Sequence, residues 1–206
     1  MQLVIATHNV HKLREYKSLL RQLVSGCDLL SLRDFPSYHL PPEEGDSFET
    51  NAIHKAVHAA QVLDRLVLAD DSGLVIPALQ GAPGVFSSRY AGKSASDKDN
   101  RQKLLSDMRE LTDVQRDGYF ECWIALASPK GLQKVVSGMC QGSIAFQEKG
   151  GQGFGYDPIF IKHEYGKTFA EMDEETKNRV SHRRKALDKM IPFLQNLVAE
   201  SLEAHM

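Results

Sequence analysis

Short apolar runs and helical repeats of apolar residues alternate along the first third of the chain. Continuous apolar runs at residues 3–6 and 66–69 predict buried strands, and residues 28–32 predict another strand between them. Apolar residues spaced three and four positions apart predict helices over residues 12–23 and 47–63. The chain therefore begins with strands and helices in alternation.

The remainder of the chain has more strand signals than helix signals. Residues 74–76 predict a short strand after a turn at residues 70–73, and a helix is predicted over residues 96–111. The turn signal at residues 128–131 separates two apolar-rich strands, 119–127 and 132–137, which predicts a hairpin.

Towards the C-terminus, residues 142–146 and 159–161 predict two further strands, and the residues beyond them are predicted to be helical. Pro192 predicts that the last helix breaks or kinks near Met190. Alternating strands and helices followed by consecutive strands indicate an α/β protein with a mixed sheet and helices packed on it.

Composition narrows the class of protein. The chain has 206 residues, of which 42% are hydrophobic, and this predicts a single domain over residues 1–206. Its formal net charge of -2 argues against a general nucleic-acid surface. Three widely spaced cysteines favour neither a disulfide framework nor a thiolate zinc site. Since no run has signal-peptide or membrane-spanning character, we expect a soluble cytoplasmic protein with no membrane partner.

Asp70 and Asp71 directly follow the apolar run at residues 66–69. Paired carboxylates at the end of a buried strand suggest metal-assisted chemistry. Successive side chains of an extended chain point to opposite faces, so one aspartate faces a ligand and the other faces the protein. We assign the working role to Asp71. The alternative is an Asx-type turn, in which both aspartates only accept backbone N–H groups.

The segment from Thr7 to Lys12 lies where a strand passes into a helix. Free backbone N–H groups, the helix dipole and Lys12 could converge there on a phosphate. The alternative is an ordinary helix start, with Thr7 or Asn9 as the cap and a solvated Lys12.

A second anion site is suggested on the following helix. Asn51 and Lys55 share a helix face beside the loop that carries Glu43 and Glu44, so Lys55 could face a phosphate. The alternative is a lysine on a solvated face. His54 and His58 also share a face but lack the glutamate of a zinc-protease motif, so we interpret them as non-ligands.

Two segments of the second half could contact a nucleoside or phosphate. Residues 150–158 are rich in glycine, which allows close approach of the backbone to a ligand, and Phe154 and Tyr156 are potential stacking surfaces. The alternative is a mobile surface loop. A basic cluster at a predicted helix start contains Lys177, Ser181, His182, Arg183 and Arg184. Arg89 is another possible anion partner, with an ion pair or stacking role inside the fold as the alternative.

Six motifs occur together in order and span nearly the whole chain. They are T-x-N-x-x-K from Thr7, S-F-x-x-N-A-x-x-K-A from Ser47, L-A-D-D-S-G-L from Leu68, G-A-P-G-V-x-S-x-R-Y-A-G from Gly81, G-x-G-F-G-Y-D-P-I-F from Gly151 and K-N-x-x-S-H-R-x-K-A-L from Lys177. In these motifs the chain resembles the Ham1/inosine triphosphate pyrophosphatase family, in particular its bacterial dITP/XTP branch.

The resemblance implies an α/β fold with an elongated mixed central sheet, flanking helices and two lobes around a nucleotide-binding cleft. It also implies a homodimer, and a Mg²⁺-dependent hydrolysis of ITP, dITP, XTP and dXTP to the monophosphate and pyrophosphate that clears deaminated purines from the nucleotide pool.

The resemblance further assigns residues to this reaction. Asp71 becomes the general base and a metal ligand together with Glu43, although Glu44 is an alternative because the acidic loop matches the family least well. The implied substrate-binding residues are Thr7, His8, Asn9, Val10, His11, Lys12, Lys55, Ser72, Phe154, Gly155, Tyr156, Asp157, Lys177, His182 and Arg183. His8 and His11 stand where the family often has small residues.

Two other functions compete with this one. A Maf-like enzyme would release pyrophosphate from pyrimidine or methylated triphosphates instead. A catalytically silent nucleotide-binding module would bind without activating water, but the acidic pairs at residues 43–44 and 70–71 argue against it, because a mere anion binder gains nothing from negative charge there.

Overall fold

The computed structural model describes residues 1–203, and residues 204–206 of the predicted 1–206 domain lie outside the described part. Over residues 1–203 the structure contains seven strands and five α-helices. The strands are β1 (Gln2–Ile5), β2 (Asp28–Ser31), β3 (Val67–Val75), β4 (Asp117–Ser128), β5 (Gly131–Ile144), β6 (Phe160–Lys162) and β7 (Lys167–Thr168). The helices are α1 (Val10–Leu23), α2 (Phe48–Leu63), α3 (Asp97–Asp107), α4 (Glu174–Val180) and α5 (His182–Glu203).

The described strands form one sheet in the order β2-β1-β3-β4-β5-β6-β7. β1 pairs in parallel with β2 and β3, whereas β6 pairs antiparallel with β5 and β7. The predicted mixed α/β fold is thereby confirmed.

Contacts between residues divide the chain into two compact units. Among the described residues, the first comprises 1–71, 122–138 and 183–203, and the second comprises 72–121 and 139–182. Within residues 1–203, no helix combines the length and apolar character needed to cross a membrane.

The first unit has a hydrophobic core on each face of its sheet. Leu3 and Ile5 of β1 belong to a core that also contains apolar residues of α1 and α5. Val4, one position along, belongs to the opposite core, which contains four alanines of α2. Since side chains alternate along a strand, β1 and β3 are covered by α1 and α5 on one face and by α2 on the other.

The second unit has a separate core. It combines β-strand residues such as Leu74, Phe120 and Phe160 with Leu104 and Met108 from the α3 segment. The aromatic rings of Phe120 and Phe160 lie 4.7 Å apart between centroids.

Four predicted boundaries are wrong. Residues 70–73 are not a turn, because β3 runs through them. Residues 142–146 do not form a separate strand, because β5 continues to Ile144. The helix predicted over 96–111 ends at Asp107. The segment after β6 is not wholly helical, because it contains β7 before α4 begins.

The predicted break near Met190 is also wrong, since α5 continues through Pro192 to Glu203. Met190 and Leu194, on either side of the proline, are both fully buried in the first core. Packing of this helix against the sheet therefore overrides the local preference of proline to end a helix.

Candidate active site

Asp70 and Asp71 occupy the middle of β3 and not its end. Leu68 lies in the core beneath α1 and α5, and Ala69 lies in the core beneath α2. Continuing this alternation directs Asp70 to the α1 and α5 face and Asp71 to the α2 face. The two carboxylates have different partners, as the sequence predicted, and the Asx-turn alternative is wrong.

Asp71 contacts the polar face of α2. Asn51 Nδ2 donates a hydrogen bond to Asp71 Oδ2 at 2.9 Å. Lys55 Nζ lies 3.9 Å from Asp71 Oδ1 and 2.5 Å from Glu43 Oε1. The Lys55 side chain is only 6% exposed, so the solvated-lysine alternative is wrong.

The acidic loop is fastened to the start of α2. Ser47 caps the helix by accepting from the Thr50 N–H at 3.1 Å, and Asn51 Oδ1 accepts from the Gly45 N–H at 2.9 Å. A Cβ on Gly45 would stand 2.5 Å from Asn51 Oδ1, so a larger residue would displace this contact. Of the two glutamates that the sequence left open, Glu43 reaches Lys55 and is partly buried, whereas Glu44 is exposed.

Glu43 and Asp71 share one cation in this structure, the Lys55 ammonium. Within residues 1–203 there is no cluster of three or more His, Cys, Asp or Glu side chains that could hold a metal alone. Mg²⁺ commonly binds through one or two carboxylates plus substrate phosphates and water. A pair of carboxylates already arranged around a positive charge fits that coordination.

The pKa of Asp71 is raised above its usual range. Burial is the largest cause because it penalises the charged form, and the nearby Glu43 carboxylate adds to the shift. Lys55, Lys12 and the Asn51 hydrogen bond oppose the shift without cancelling it. A carboxylate with a raised pKa is a stronger base, which suits it to accept a proton from water.

Asp70 is surrounded by cations on the opposite face of β3. Lys12 Nζ donates to Asp70 Oδ2 at 2.8 Å, and Arg183 Nη2 lies 3.8 Å from the same oxygen. Burial acts to raise the pKa of Asp70, but the charges of Lys12, Arg183 and Lys55 outweigh it and lower the pKa to about 2. Lys12 is therefore held by Asp70, and the alternative of a solvated Lys12 is wrong.

Arg183 is completely enclosed on this face. It is 2% exposed and forms an ion pair with Glu15 of α1, which is itself buried. Burial opposes the charged form of Arg183, yet the carboxylates of Glu15 and Asp70 raise its pKa. Glu15 belongs to none of the motifs, so sequence reasoning missed this partner of Arg183.

Side chains that directly precede α1 cap the start of this helix. Asn9 Oδ1 accepts from the backbone N–H groups of His11 at 2.9 Å and Lys12 at 3.1 Å, and Thr7 Oγ1 accepts from the Asn9 N–H at 3.2 Å. These three N–H groups are not free, which corrects part of the predicted phosphate site. His8, Val10 and His11 are exposed.

Asp157 organises the glycine-rich loop, residues 150–157, in the second unit. Its Oδ2 accepts from the Phe154 N–H at 2.8 Å and from Lys177 Nζ at 2.7 Å. The Lys177 ammonium also lies 4.8 Å from the centroid of the Phe154 ring. Gly153 has a φ of +75°, and a Cβ there would approach Asp157 Oδ2 to 2.0 Å, so this turn requires glycine.

Tyr156 is not a stacking surface. Its ring is 5% exposed within the second core, and its hydroxyl donates to the Ser87 carbonyl at 2.8 Å. Only Phe154, which is partly exposed, retains the access that stacking on a base requires.

The predicted basic cluster does not form one surface. The His182 ring stacks on Phe120 with centroids 4.7 Å apart, Lys177 is buried against Asp157, and Arg183 is buried against Glu15. Arg184 pairs with Asp188 one turn along α5. The guanidinium carbon of Arg89 lies 5.3 Å from the Phe86 ring centroid, and Phe86 is 57% exposed, so Arg89 stacks at the surface and not inside the fold as the alternative had it.

Comparison with known proteins agrees with these motifs. The sequence model of the Ham1 family matches residues 3–193. The chain is 52% identical to the dITP/XTP pyrophosphatase of Protochlamydia amoebophila, over 96% of this chain and 99% of that protein. It is 48% identical to the dITP/XTP pyrophosphatase of Chlamydia trachomatis serovar D, over 99% of this chain and 98% of that protein.

Solved structures resemble the fold over nearly the full length. A HAM1 protein from Coxiella burnetii superposes with a TM-score of 0.85 at 41% identity, covering 95% of this chain and 99% of that one. The Ham1 protein of Staphylococcus aureus gives a TM-score of 0.83 at 38% identity, with the same coverage of each chain. With a family match over most of its length and relatives near 50% identity, the chain belongs to the Ham1 family.

Proposed function

We propose that this protein hydrolyses ITP, dITP, XTP and dXTP to the corresponding monophosphate and pyrophosphate. The names of its relatives, dITP/XTP pyrophosphatases, support this substrate class. The single observation that carries the proposal is the convergence of Glu43 and Asp71 on one buried cation, with Asn51 orienting Asp71.

Lys12 and Lys55 are proposed to bind the triphosphate. Both ammonium groups are held by carboxylates, Lys12 by Asp70 and Lys55 by Glu43 and Asp71, so each is in place before substrate arrives. The remaining contacts to the phosphates are assigned to the segment from Thr7 to Lys12, where the positive end of the α1 dipole adds to the attraction.

Asp71 is proposed to accept a proton from the attacking water. The water oxygen then bonds to the α-phosphorus in line with the leaving group, and the bond from that phosphorus to the α-β bridging oxygen breaks to release pyrophosphate. Mg²⁺ held by Glu43 and Asp71 would neutralise the charge of the phosphate oxygens. Each such electrostatic contact is typically worth about 3 kcal/mol in the transition state.

The nucleoside is assigned to Ser72, to residues 154–157 and to Lys177, His182 and Arg183. Hypoxanthine and xanthine present a carbonyl acceptor at C6, where adenine presents an amino donor. Donors on His182 or the loop backbone would satisfy that carbonyl and reject the amine, because an unpaired buried donor or acceptor is costly. Arg183 is 2% exposed and already engaged by Glu15 and Asp70, so a direct contact of its guanidinium with the base is not part of this proposal. For Tyr156 the buried ring leaves only the backbone for such a contact.

The test is a substrate panel with and without Mg²⁺. Pyrophosphate release is measured with ITP, XTP, GTP, ATP and dTTP, with Asp71→Asn as the control for contaminating phosphatases. We expect Mg²⁺-dependent release from ITP and XTP that far exceeds release from the other three. Equal rates for all five would contradict the selectivity, preferred dTTP would favour the Maf-like alternative, and nucleotide binding without product would favour the silent module.

A cytoplasmic location and a homodimer are also part of this proposal. The homodimer follows from the resemblance, and the cytoplasmic location follows from the composition and the cysteine pattern. Sedimentation equilibrium of the purified protein at micromolar concentration would give twice the chain mass of 23.0 kDa if the dimer is correct.

A further inference from the structure

The glycine-rich loop, residues 150–157, is held from outside by a helix that none of the nucleotide motifs includes. Asp97, the first residue of α3, accepts from the Gly155 N–H through Oδ2 at 2.8 Å. Arg101, also on α3, donates from Nη1 to the Gly155 carbonyl at 2.9 Å. Side chains of α3 therefore bind both backbone polar groups of Gly155, its N–H and its carbonyl.

The spacing of these two side chains explains how α3 can do this. Asp97 and Arg101 are four positions apart, so they lie on the same face of the helix one turn apart. Asp97 is not needed to cap α3, because Ser96 and Asp99 already form a capping box there. Its carboxylate is thus available for the loop.

Arg101 also reaches the other end of the loop. Its Nε lies 3.0 Å from Glu148 Oε1, and its Nη2 donates to Glu148 Oε2 at 3.1 Å. Nη2 thus donates to Glu148 while Nη1 donates to Gly155, and a lysine, which has a single side-chain nitrogen, cannot reproduce this pair of contacts. The Arg101 side chain is 13% exposed, whereas that of Glu148 is 37% exposed, so the guanidinium is largely shielded from water and the Glu148 carboxylate is not. Arg101 therefore joins Glu148, two residues before the loop, to Gly155 near the end of the loop.

Gly155 has a particular need for such restraint. It adopts a φ of +60° with no neighbouring atom within 4 Å of where a Cβ would be, so neither a side chain nor local crowding limits its backbone. Internal order comes from Asp157, which holds Phe154 and Lys177. The α3 contacts supply the second restraint, on the residue between Phe154 and the buried Tyr156.

We propose that Asp97 and Arg101 are positioning residues that hold residues 154–157 in the conformation that receives the nucleoside. This inference rests on the proposed function. The loop is assigned to the nucleoside and Asp71 to the reacting phosphate, so loosening the loop weakens substrate binding while the chemical step proceeds. Loss of a charge-assisted hydrogen bond of this kind typically changes an equilibrium constant about tenfold or more.

The experiment compares Arg101→Met and Asp97→Ala with wild type in ITP hydrolysis. We expect Arg101→Met to raise KM about tenfold and to leave kcat within about twofold. Asp97→Ala changes KM in the same direction by less, because Asp97 is exposed. Arg101→Lys keeps the charge but cannot hold the Gly155 carbonyl and Glu148 together, so its KM lies between those of wild type and Arg101→Met. Arg109→Met, which removes an exposed arginine just after α3, is the matched control and leaves both constants unchanged.

Hydrogen exchange of the amides in residues 150–157, measured without substrate, gives a readout that does not need activity. We expect faster exchange in Arg101→Met, centred on Gly155, and wild-type exchange in Arg109→Met. Unchanged exchange in Arg101→Met overturns the restraint itself. Faster exchange with unchanged KM, or a fall in kcat at unchanged KM, overturns the positioning role. Wild-type protein that does not hydrolyse ITP or XTP removes the proposed function and the nucleoside role with it, while the exchange data still decide the restraint.

Discussion

Asp70 and Asp71 are neighbours in β3, yet the two faces of the strand give them opposite electrostatic surroundings. On the α1 and α5 face, Asp70 meets Lys12 and Arg183, and its pKa falls to about 2. On the α2 face, Asp71 shares Lys55 with Glu43, and burial raises its pKa. The neighbouring cations outweigh the effect of burial on the pKa of Asp70, but they do not outweigh it for Asp71.

This difference separates a structural task from a chemical one. A carboxylate whose neighbouring cations outweigh its burial stays ionised, contributes to stability and is a weak base. A carboxylate whose neighbouring cations do not offset its burial binds a proton or a cation more readily, and its charge lowers the stability of the fold. Adjacent residues can take these opposite roles because a strand sends successive side chains to different faces.

The largest effect is expected from Asp70→Asn on stability. Removing this carboxylate leaves Lys12 and Arg183 buried with one counter-charge fewer, and breaking a buried ion pair typically costs about 3–5 kcal/mol. Urea unfolding measures the free energy of unfolding at neutral pH. A matched surface control is Asp107→Asn, since Asp107 pairs with Lys103 at the surface and exposed pairs are worth about 1 kcal/mol or less. Equal losses in the two variants would contradict the structural role of Asp70.

The second effect is on turnover and concerns Asp71→Asn. The amide keeps the shape and can still accept from Asn51, but it cannot accept a proton from water. We expect kcat for ITP to fall by about a hundredfold or more with the fold retained. Pyrophosphate release and circular dichroism measure the two properties. Near-normal turnover would show that Asp71 is not the general base. The two faces of β3 would then not differ in their contribution to catalysis.

The contrast between the aspartates could be predicted from the sequence, but the surroundings that produce it could not. The alternation of side chains along any extended strand and the apolar run before Asp70 were sufficient to assign the two residues to opposite faces. The turn predicted at residues 70–73 followed local preference, which pairing of β3 within the sheet overrides. Glu15 and Arg183 are 168 positions apart, and no local pattern reveals such a pair.

The choice of Glu43 over Glu44 stayed open in the sequence for a related reason. Counting positions back from Phe48 favours Glu43, but a shift of one residue in the loop would exchange the two side chains. The structure favours Glu43 because Asn51 fastens the Gly45 backbone to α2, which sets the register of the loop. A side chain six positions ahead on a helix therefore decides which glutamate reaches Lys55.

The third effect is on Mg²⁺ dependence. A comparison of Glu43→Gln with Glu44→Gln tests the register of the acidic loop. Glu43→Gln removes a proposed metal ligand, so the Mg²⁺ concentration for half-maximal pyrophosphate release should rise about tenfold or more. Glu44→Gln removes the same charge from an exposed position and should leave that concentration unchanged. Titration of Mg²⁺ at saturating ITP measures both. A larger shift in Glu44→Gln would assign the ligand role to Glu44.

The smallest effect is a gain in stability for Asp71→Asn, opposite in sign to the loss for Asp70→Asn. The folded pKa of Asp71 lies above its unfolded value of about 3.9, so its charge destabilises the fold at neutral pH. Removing that charge should raise the free energy of unfolding by about 0.5–2 kcal/mol, the usual range for one stabilising substitution.

The pH dependence separates the two aspartates most sharply. The gain in Asp71→Asn should be present at neutral pH and disappear as the pH falls through the folded pKa of Asp71 and then below its unfolded value of about 3.9, where both states of the wild type become protonated. The stabilisation by Asp70 should be complete above about pH 4 and be lost as the pH falls to its folded pKa of about 2. Urea unfolding of both variants and wild type across this range measures the difference. If Asp71→Asn were less stable than wild type at neutral pH, the carboxylate would be stabilising where it stands, and the division of roles between the two faces of β3 would fail.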